Sequence, residues 1–187
     1  MRLSKPRVEP VDLDRLDDEQ QDALKGFLRR PPVINIFRTM ARTPDALKAF
    51  LGWGNYILSD RNAVPARERE IAILRAGYNC RSGYEFAQHT RVGKRCGLTD
   101  AEIAAIKQGP DAENWNDLDR AILKATDELT SDFFVTDQTW AALAPLGDKG
   151  RTDLIYTVGQ YTQVSMILNT LGVQVEDGTE VDSELRP

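Results

Sequence analysis

The stretch PAREREIAILRAGYNCRSGYEFAQHTRVGKRCG, Pro65 to Gly97, decides the fold. Pro65 carries the fixed backbone angle of a helix start. Ile71, Leu74 and Tyr78 then recur at the three- and four-residue spacing of one helix face. Residues 79–83 break the period, and a second helix follows to Cys96, where Gly97 suits the left-handed position just past a helix end.

The same signals continue outward. On the N-terminal side, Asp17-Asp18-Glu19 places acid at the start of a helix to Leu28, which Pro31-Pro32 stops. Val33 to Met40 is a short apolar helix. Thr43 and Pro44 form an N-cap and first-turn pair opening a helix to Leu58, with Leu47, Phe50, Leu51, Tyr56 and Leu58 inward. On the C-terminal side, Thr99 and Glu102 form a capping box, and Gly109-Pro110 closes that helix. Leu118 to Leu129 is amphipathic through Ile122, Leu123 and Leu129, and Thr136 opens another short helix. Thr152 to Leu171 is long and apolar on most of its circumference, so other surfaces must cover it. Val173 and Val175 offer at most one brief extended pairing. The expectation is an all-α, single-domain helical bundle over residues 17–175, an extended N-terminal arm over 1–16, and a loose acidic tail over 176–187.

Composition narrows the function classes. The chain has 187 residues, with 41% hydrophobic and 28% charged, too apolar for disorder. Its two cysteines, Cys80 and Cys96, cannot form a disulfide framework or a CxxC pair. Its one histidine, His89, excludes sites that need two. A net charge of −5 opposes general nucleic-acid binding. No apolar run reaches the roughly 20 residues of a membrane span, and no signal-peptide pattern follows the basic start. These features imply a cytoplasmic protein with neither nucleic-acid nor membrane partner.

The residues around His89 carry the candidate chemistry. Glu85 and His89 stand four apart and share a helix face, on which Ser82 also falls. A carboxylate against an imidazole fixes its tautomer and raises its basicity, as proton shuttling requires. Glu70, on the preceding helix, can approach from across the pair. From spacing alone, a solvated surface pair is the commoner arrangement. One His among carboxylates gives no dedicated metal site. Cys80, read as lying at a helix start, is the better candidate for a reactive thiol.

Three segments together resemble the carboxymuconolactone decarboxylase family, whose superfamily includes the alkylhydroperoxidase-D-like proteins. They are Glu70-Ile-Ala-Ile-Leu-Arg75, Tyr84-Glu85-Phe86-x-x-His89 and Gly97-Leu-Thr-Asp-x-Glu102-Ile. Asp127-Glu-Leu129, Thr139-Trp-x-x-Leu143 and Thr157-Val-Gly-Gln-Tyr161 through Asn169 resemble its C-terminal helices, so the likeness spans about residues 33–175. Peroxidase members of the superfamily use a Glu, a CxxC pair and a His four residues beyond the second Cys. Counted back from His89, the thiol positions hold Ser82 and Glu85, and the Glu corresponds to Glu70. Both thiols are therefore replaced, and disulfide-coupled peroxide reduction has no evident route.

The resemblance implies a decarboxylase-like lyase acting by acid–base chemistry on a small organic acid or lactone, with no cofactor or metal. His89 is the expected proton shuttle, Glu85 its orienter and Glu70 a second acid or base. An anionic substrate needs cations and donors, for which Arg75, Arg81, Tyr84 and Ser82 are the candidates. The alternatives are a thiol-dependent peroxidase using Cys80 and a non-catalytic helical oligomer that binds a small molecule. Oligomerisation, as a homotrimer or hexamer, follows from the family and from the apolar 152–171 helix with Phe133, Phe134 and Trp140.

Overall fold

The computed structural model describes residues 1–113 and 115–187, and within them the chain is helical with no strand. The elements are α1 (Asp18–Leu28), α2 (Asn35–Met40), α3 (Pro44–Ile57), α4 (Ala66–Asn79), α5 (Gly83–Arg95), α6 (Asp100–Gln108), α7 (Asp117–Ser131), α8 (Asp137–Ala142) and α9 (Gly147–Leu171). The expected capping box at Thr99/Glu102 forms, and Asp17 forms a second one with Gln20. Thr43 makes no side-chain cap, and Pro44 alone marks the start of α3. Helix α9 begins five residues earlier than its apolar pattern indicates, and Val173 and Val175 pair with no strand.

Helix α4 is the centre of the bundle, packed against α5, α6, α7 and α9. Glu70, Ile71, Ala72, Ile73, Leu74, Ala76 and Gly77 are all buried, so little of its circumference meets water. A helix enclosed this way gains from apolar burial at nearly every position, which makes Glu70 exceptional. The chain leaves α4 through a Schellman turn. Arg81 N–H donates to Tyr78 O and Ser82 N–H to Gly77 O, both at 2.8 Å, while Arg81 holds φ 53°. An arginine in the position usually taken by glycine turns its side chain outward, and it is exposed.

Two ion clusters fasten the helices around α4. Arg67 bridges to Asp119 on α7 at 2.9 Å and to Glu102 on α6. Arg75 binds Asp127 on α7 with Nε at 2.6 Å and Nη2 at 3.0 Å. Its Nη1 donates to Ile106 O and Lys107 O at 2.8 and 3.0 Å, capping the C-terminal end of α6.

Both chain ends pack on the bundle rather than hanging free. Arg7 N–H donates to Leu171 O at 2.8 Å and Val11 N–H to Arg38 O at 3.1 Å, so the arm lies on its own chain. Val181 and Leu185 of the acidic tail are buried, and Asp182 pairs with Lys107 at 3.1 Å. A Cβ at Gly83 would meet Leu185 O at 2.6 Å, so the tail closes over the first residue of α5. The tail is held by pairs its own sequence does not announce. Leu58, expected inward, is half exposed. No helix among the described residues is long and apolar enough to cross a membrane.

Arg75→Met removes the fork to Asp127 and the donors to two α6 carbonyls. The folding free energy from urea denaturation is expected to fall by about 2 kcal/mol, with the surroundings of His89 unchanged. A loss below about 0.5 kcal/mol, the range of ordinary surface changes, would show that the fork adds nothing to the fold.

Candidate active site

The facing surfaces of α4 and α5 build the site. Glu70 and Gly77 lie two turns apart on α4, and Glu85 and His89 one turn apart on α5. His89 Nδ1 stands 2.7 Å from Glu70 Oε2, and Nε2 stands 3.0 Å from Glu85 Oε1. At the other end of the crossing, a Cβ on Gly77 would sit 3.4 Å from Glu85 Cγ, so glycine there lets the Glu85 side chain lie against α4. Tyr161 of α9 closes the third side, its ring edge-on to the imidazole at 4.9 Å between centroids. All four side chains are buried, Glu70 at 1% exposure and Glu85 at 4%.

Burial by itself works against a charge on His89, but the Glu85 and Glu70 carboxylates and their hydrogen bonds overcome it. They raise the imidazole to about 10, from 6.5. At neutral pH the ring is an imidazolium between two carboxyl groups, each nitrogen donating to one of them. No ring lone pair is then free, and among the described residues no group of three or more His, Cys, Asp and Glu side chains is placed to hold a metal ion. Burial, followed by the nearby carboxylates, pushes the Tyr161 phenol well above its ordinary value and keeps it neutral.

A cavity of about 240 Å³ opens beside this cluster. It lies just below the roughly 300–1,000 Å³ usual for small-molecule sites. Its walls are mostly apolar: Phe27 of α1, Ile36 and Phe37 of α2, Phe50, Leu51 and Gly54 of α3, and Tyr161 and Val164 of α9. The polar wall is formed by Glu85, Gln88 and His89 of α5 with Gln160 of α9 and Asn55 of α3. Glu70 does not line the cavity and stands behind the imidazole.

The residues expected to bind an anionic substrate are placed otherwise. Arg75 is consumed by Asp127 and the end of α6, and Arg81 points to solvent from its Schellman turn. Neither lines the cavity, and among the described residues no Lys or Arg does. Ser82 is buried at the N-cap of α5, away from the cavity wall, and makes no side-chain cap. Tyr84 lines the cavity, but its hydroxyl donates to Glu176 Oε1 at 2.7 Å and accepts from Ile36 N–H at 3.3 Å. Burial, with Glu176 beside it, pushes the Tyr84 phenol upward. The spacing of Glu85 and His89 is more commonly that of a solvated pair, and burial excludes that reading.

Cys80 does not stand at a helix start. It is the C-terminal cap of α4, the end whose dipole disfavours a thiolate. Burial pushes its thiol up, against a hydrogen bond with Thr162. It lines a separate hollow with Arg2, Leu3, Arg7, Met166, Asn169 and Thr170. Asn55, Gln88, Gln160 and Tyr161 of the cavity wall had no assigned role in the sequence reading. The one available signal was a glutamine inside the apolar pattern of α9.

The fold defines a class, the helical proteins of alkylhydroperoxidase-D-like architecture. Within it, residues 44–128, α3 through most of α7, match the carboxymuconolactone decarboxylase family and include Glu70, Glu85 and His89. No curated protein matches the chain. An uncharacterised peroxidase-related protein from Ralstonia eutropha JMP134, described as an alkylhydroperoxidase AhpD core, superposes with a TM-score of 0.78 at 20% identity. That likeness covers 92% of this chain and 93% of the other. A peroxidase-related protein from Silicibacter sp. TM1040 gives 0.78 at 14% identity, over 95% and 97% of the two chains. The debrominase Bmp8, solved with 2,3,4-tribromopyrrole, gives 0.72 at 15%, over 93% and 94%. Identities this low establish a shared fold.

The His89 cluster has a measurable pH signature. The folded-state value of about 10 lies above the 6.5 of the free group, so its contribution to stability is complete below about pH 6.5. It is lost as pH rises through about 10. The melting temperature of the wild type is expected to fall more steeply between pH 7 and 10 than that of His89→Gln. Parallel curves would show that the ring is not held protonated.

Proposed function

We propose that the protein is an acid–base enzyme that moves a proton on a small, uncharged, mostly apolar carbonyl compound of lactone size. The observation that carries this reading is the placement of Glu85 and His89 side by side in the wall of an otherwise apolar cavity. A carboxylate in such surroundings, hydrogen-bonded to an imidazolium, takes a proton from carbon beside a carbonyl and returns it elsewhere on the same molecule. No oxidant or reductant enters that balance. Decarboxylation, the first expectation, would bring a carboxylate against the same wall, and the absence of a lining Lys or Arg among the described residues disfavours it.

Glu85 is the group that exchanges protons with substrate, and His89 supplies and steadies that proton through Nε2. Glu70 is a positioning residue, fixing the ring through Nδ1 from outside the cavity. This exchanges the roles first read for the two glutamates, because only Glu85 faces the cavity. An uncharged substrate replaces the anionic one, since no Lys or Arg among the described residues lines the wall and two carboxyl groups stand nearby. The Bmp8 complex with 2,3,4-tribromopyrrole, a small apolar ring, supports a ligand of that size and polarity in this fold. A Cys80-dependent peroxidase finds no support in a capping, upshifted thiol outside the cavity.

Solvent deuterium incorporation, followed by proton NMR, tests the proposal across a panel of small lactones, cyclic ketones and muconolactone-type acids. Glu85→Gln and His89→Gln are each expected to lower exchange by about a hundredfold or more. Cys80→Ser should leave it intact. Glu70→Gln should lower kcat and displace the pH profile with little change in KM. Equal rates in wild type and His89→Gln would remove the imidazole from the chemistry. Absence of exchange with every compound would leave a binding protein.

We also infer a homo-oligomer in the cytoplasm. Phe133 (77% exposed), Phe134, Ile155, Tyr156 and Met166 leave a large apolar surface around α9 and the α7–α8 turn, more than scattered surface residues account for. Both cysteines are free, as a reducing compartment keeps them. Light scattering at micromolar concentration is expected to give a mass above that of one chain, and a monomer would refute the assembly.

A further inference from the structure

Among the described residues, Gln160 is the side chain of the cavity wall whose polar atoms are both buried and without a hydrogen-bond partner. It is 1% exposed, and neither Oε1 nor Nε2 has a partner among the described residues. A buried amide left unmatched costs about 1–3 kcal/mol, so such a group in a cavity wall marks where a ligand is read. Opposite it stands Gly54. A Cβ there would lie 3.7 Å from Gln160 Nε2, so the absent side chain keeps the space before the amide open. Other polar groups of the same wall are committed: Tyr84 to Glu176 and Ile36, Gln88 to Glu176, and His89 to its two glutamates.

We propose that Gln160 is the specificity-determining residue of this cavity and that the ligand it selects carries a cis-amide edge, that is, a lactam. A primary amide presents one acceptor and one donor side by side. Its complement is an N–H that donates to Oε1 beside a C=O that accepts from Nε2. A lactone offers only the acceptor and leaves Oε1 unmatched. A carboxylate offers two acceptors, setting one against Oε1 and its charge near Glu85. Because both amide atoms lack partners, the argument holds for either orientation of the Gln160 amide. This inference rests on the cavity being the substrate site and sharpens the carbonyl compound proposed above to one chemical class. The lactam carbonyl held by Nε2 acidifies the carbon beside it, where Glu85 then exchanges a proton.

The test compares three six-membered rings of similar size, 2-piperidone, N-methyl-2-piperidone and δ-valerolactone, by ligand-observed NMR titration of the full chain. The wild type is expected to bind 2-piperidone at least tenfold more tightly than either analogue, a difference of about 1.4 kcal/mol. In Gln160→Leu, which keeps the side-chain bulk and removes both polar atoms, that preference should vanish, while circular dichroism and melting temperature stay near those of the wild type. Equal binding of the three rings by the wild type, no binding of 2-piperidone, or a preference retained in Gln160→Leu each overturns the proposal. The wild-type ranking is decisive even if the variant fails to fold. His89→Gln separates this inference from the proton-transfer reading. Retained lactam preference without deuterium exchange in either protein would defeat the chemistry and leave the recognition standing.

Discussion

The structure turns on a carboxylate placed where a helix has no water. Glu70 lies on α4, which four other helices enclose, and an unanswered charge there would cost far more than apolar packing at one position returns. His89 answers it from α5 at 2.7 Å. Once the imidazole is fixed by Nδ1, its Nε2 can only face Glu85, one turn earlier on the same helix. The register of α5 on α4 is thus set by an ionic contact at one end and by the absence of a side chain at Gly77 at the other. The same contact that makes burial of Glu70 tolerable delivers a protonated ring to the wall of a cavity.

Around that contact the molecule separates two environments. The α4 side is tied to α6 and α7 by Arg67 and Arg75, whose guanidinium groups reach Asp119, Glu102 and Asp127. The α5 and α9 side opens onto apolar surfaces from α1, α2 and α3, and among the described residues the cavity there has no lining Lys or Arg. The positive charge this sequence holds near its glutamates is therefore structural on one side. On the other it is supplied by the imidazolium alone. That division favours an uncharged ligand. The acidic tail adds a further constraint, since Glu176 holds Tyr84, Asn35 and Gln88 together at the edge of the cavity.

Much of this was legible before any coordinate. The capping box at Thr99, the acidic start at Asp17, Pro44, Pro65, Gly97 and the repeated apolar spacing mark helix limits because those effects act within a turn or two of the chain. The pairing of Glu85 with His89 was legible for the same reason, being an i,i+4 relation. The errors share a cause as well. Arg75 and Arg81 were assigned to an anion by proximity in sequence. Arg75's true partner is 52 residues away, and the outward course of Arg81 follows from a turn at φ 53°. Cys80 looked like a helix start because residues 79–83 contain both an end and a beginning, and only backbone hydrogen bonds assign it to the end. The tail looked loose because its partners, Lys107 and Tyr84, lie far back in the chain.

What the sequence alone determined was the class of the fold, the limits of most helices and the pairing of Glu85 with His89, since propensity, capping and one-turn spacing are local. Which glutamate faces the cavity, which arginines are spent on other helices, and that Gln160 stands unpartnered before an open space were decided only by the tertiary structure. Those properties depend on which side chains from distant helices exclude water together, and a linear pattern does not carry that information.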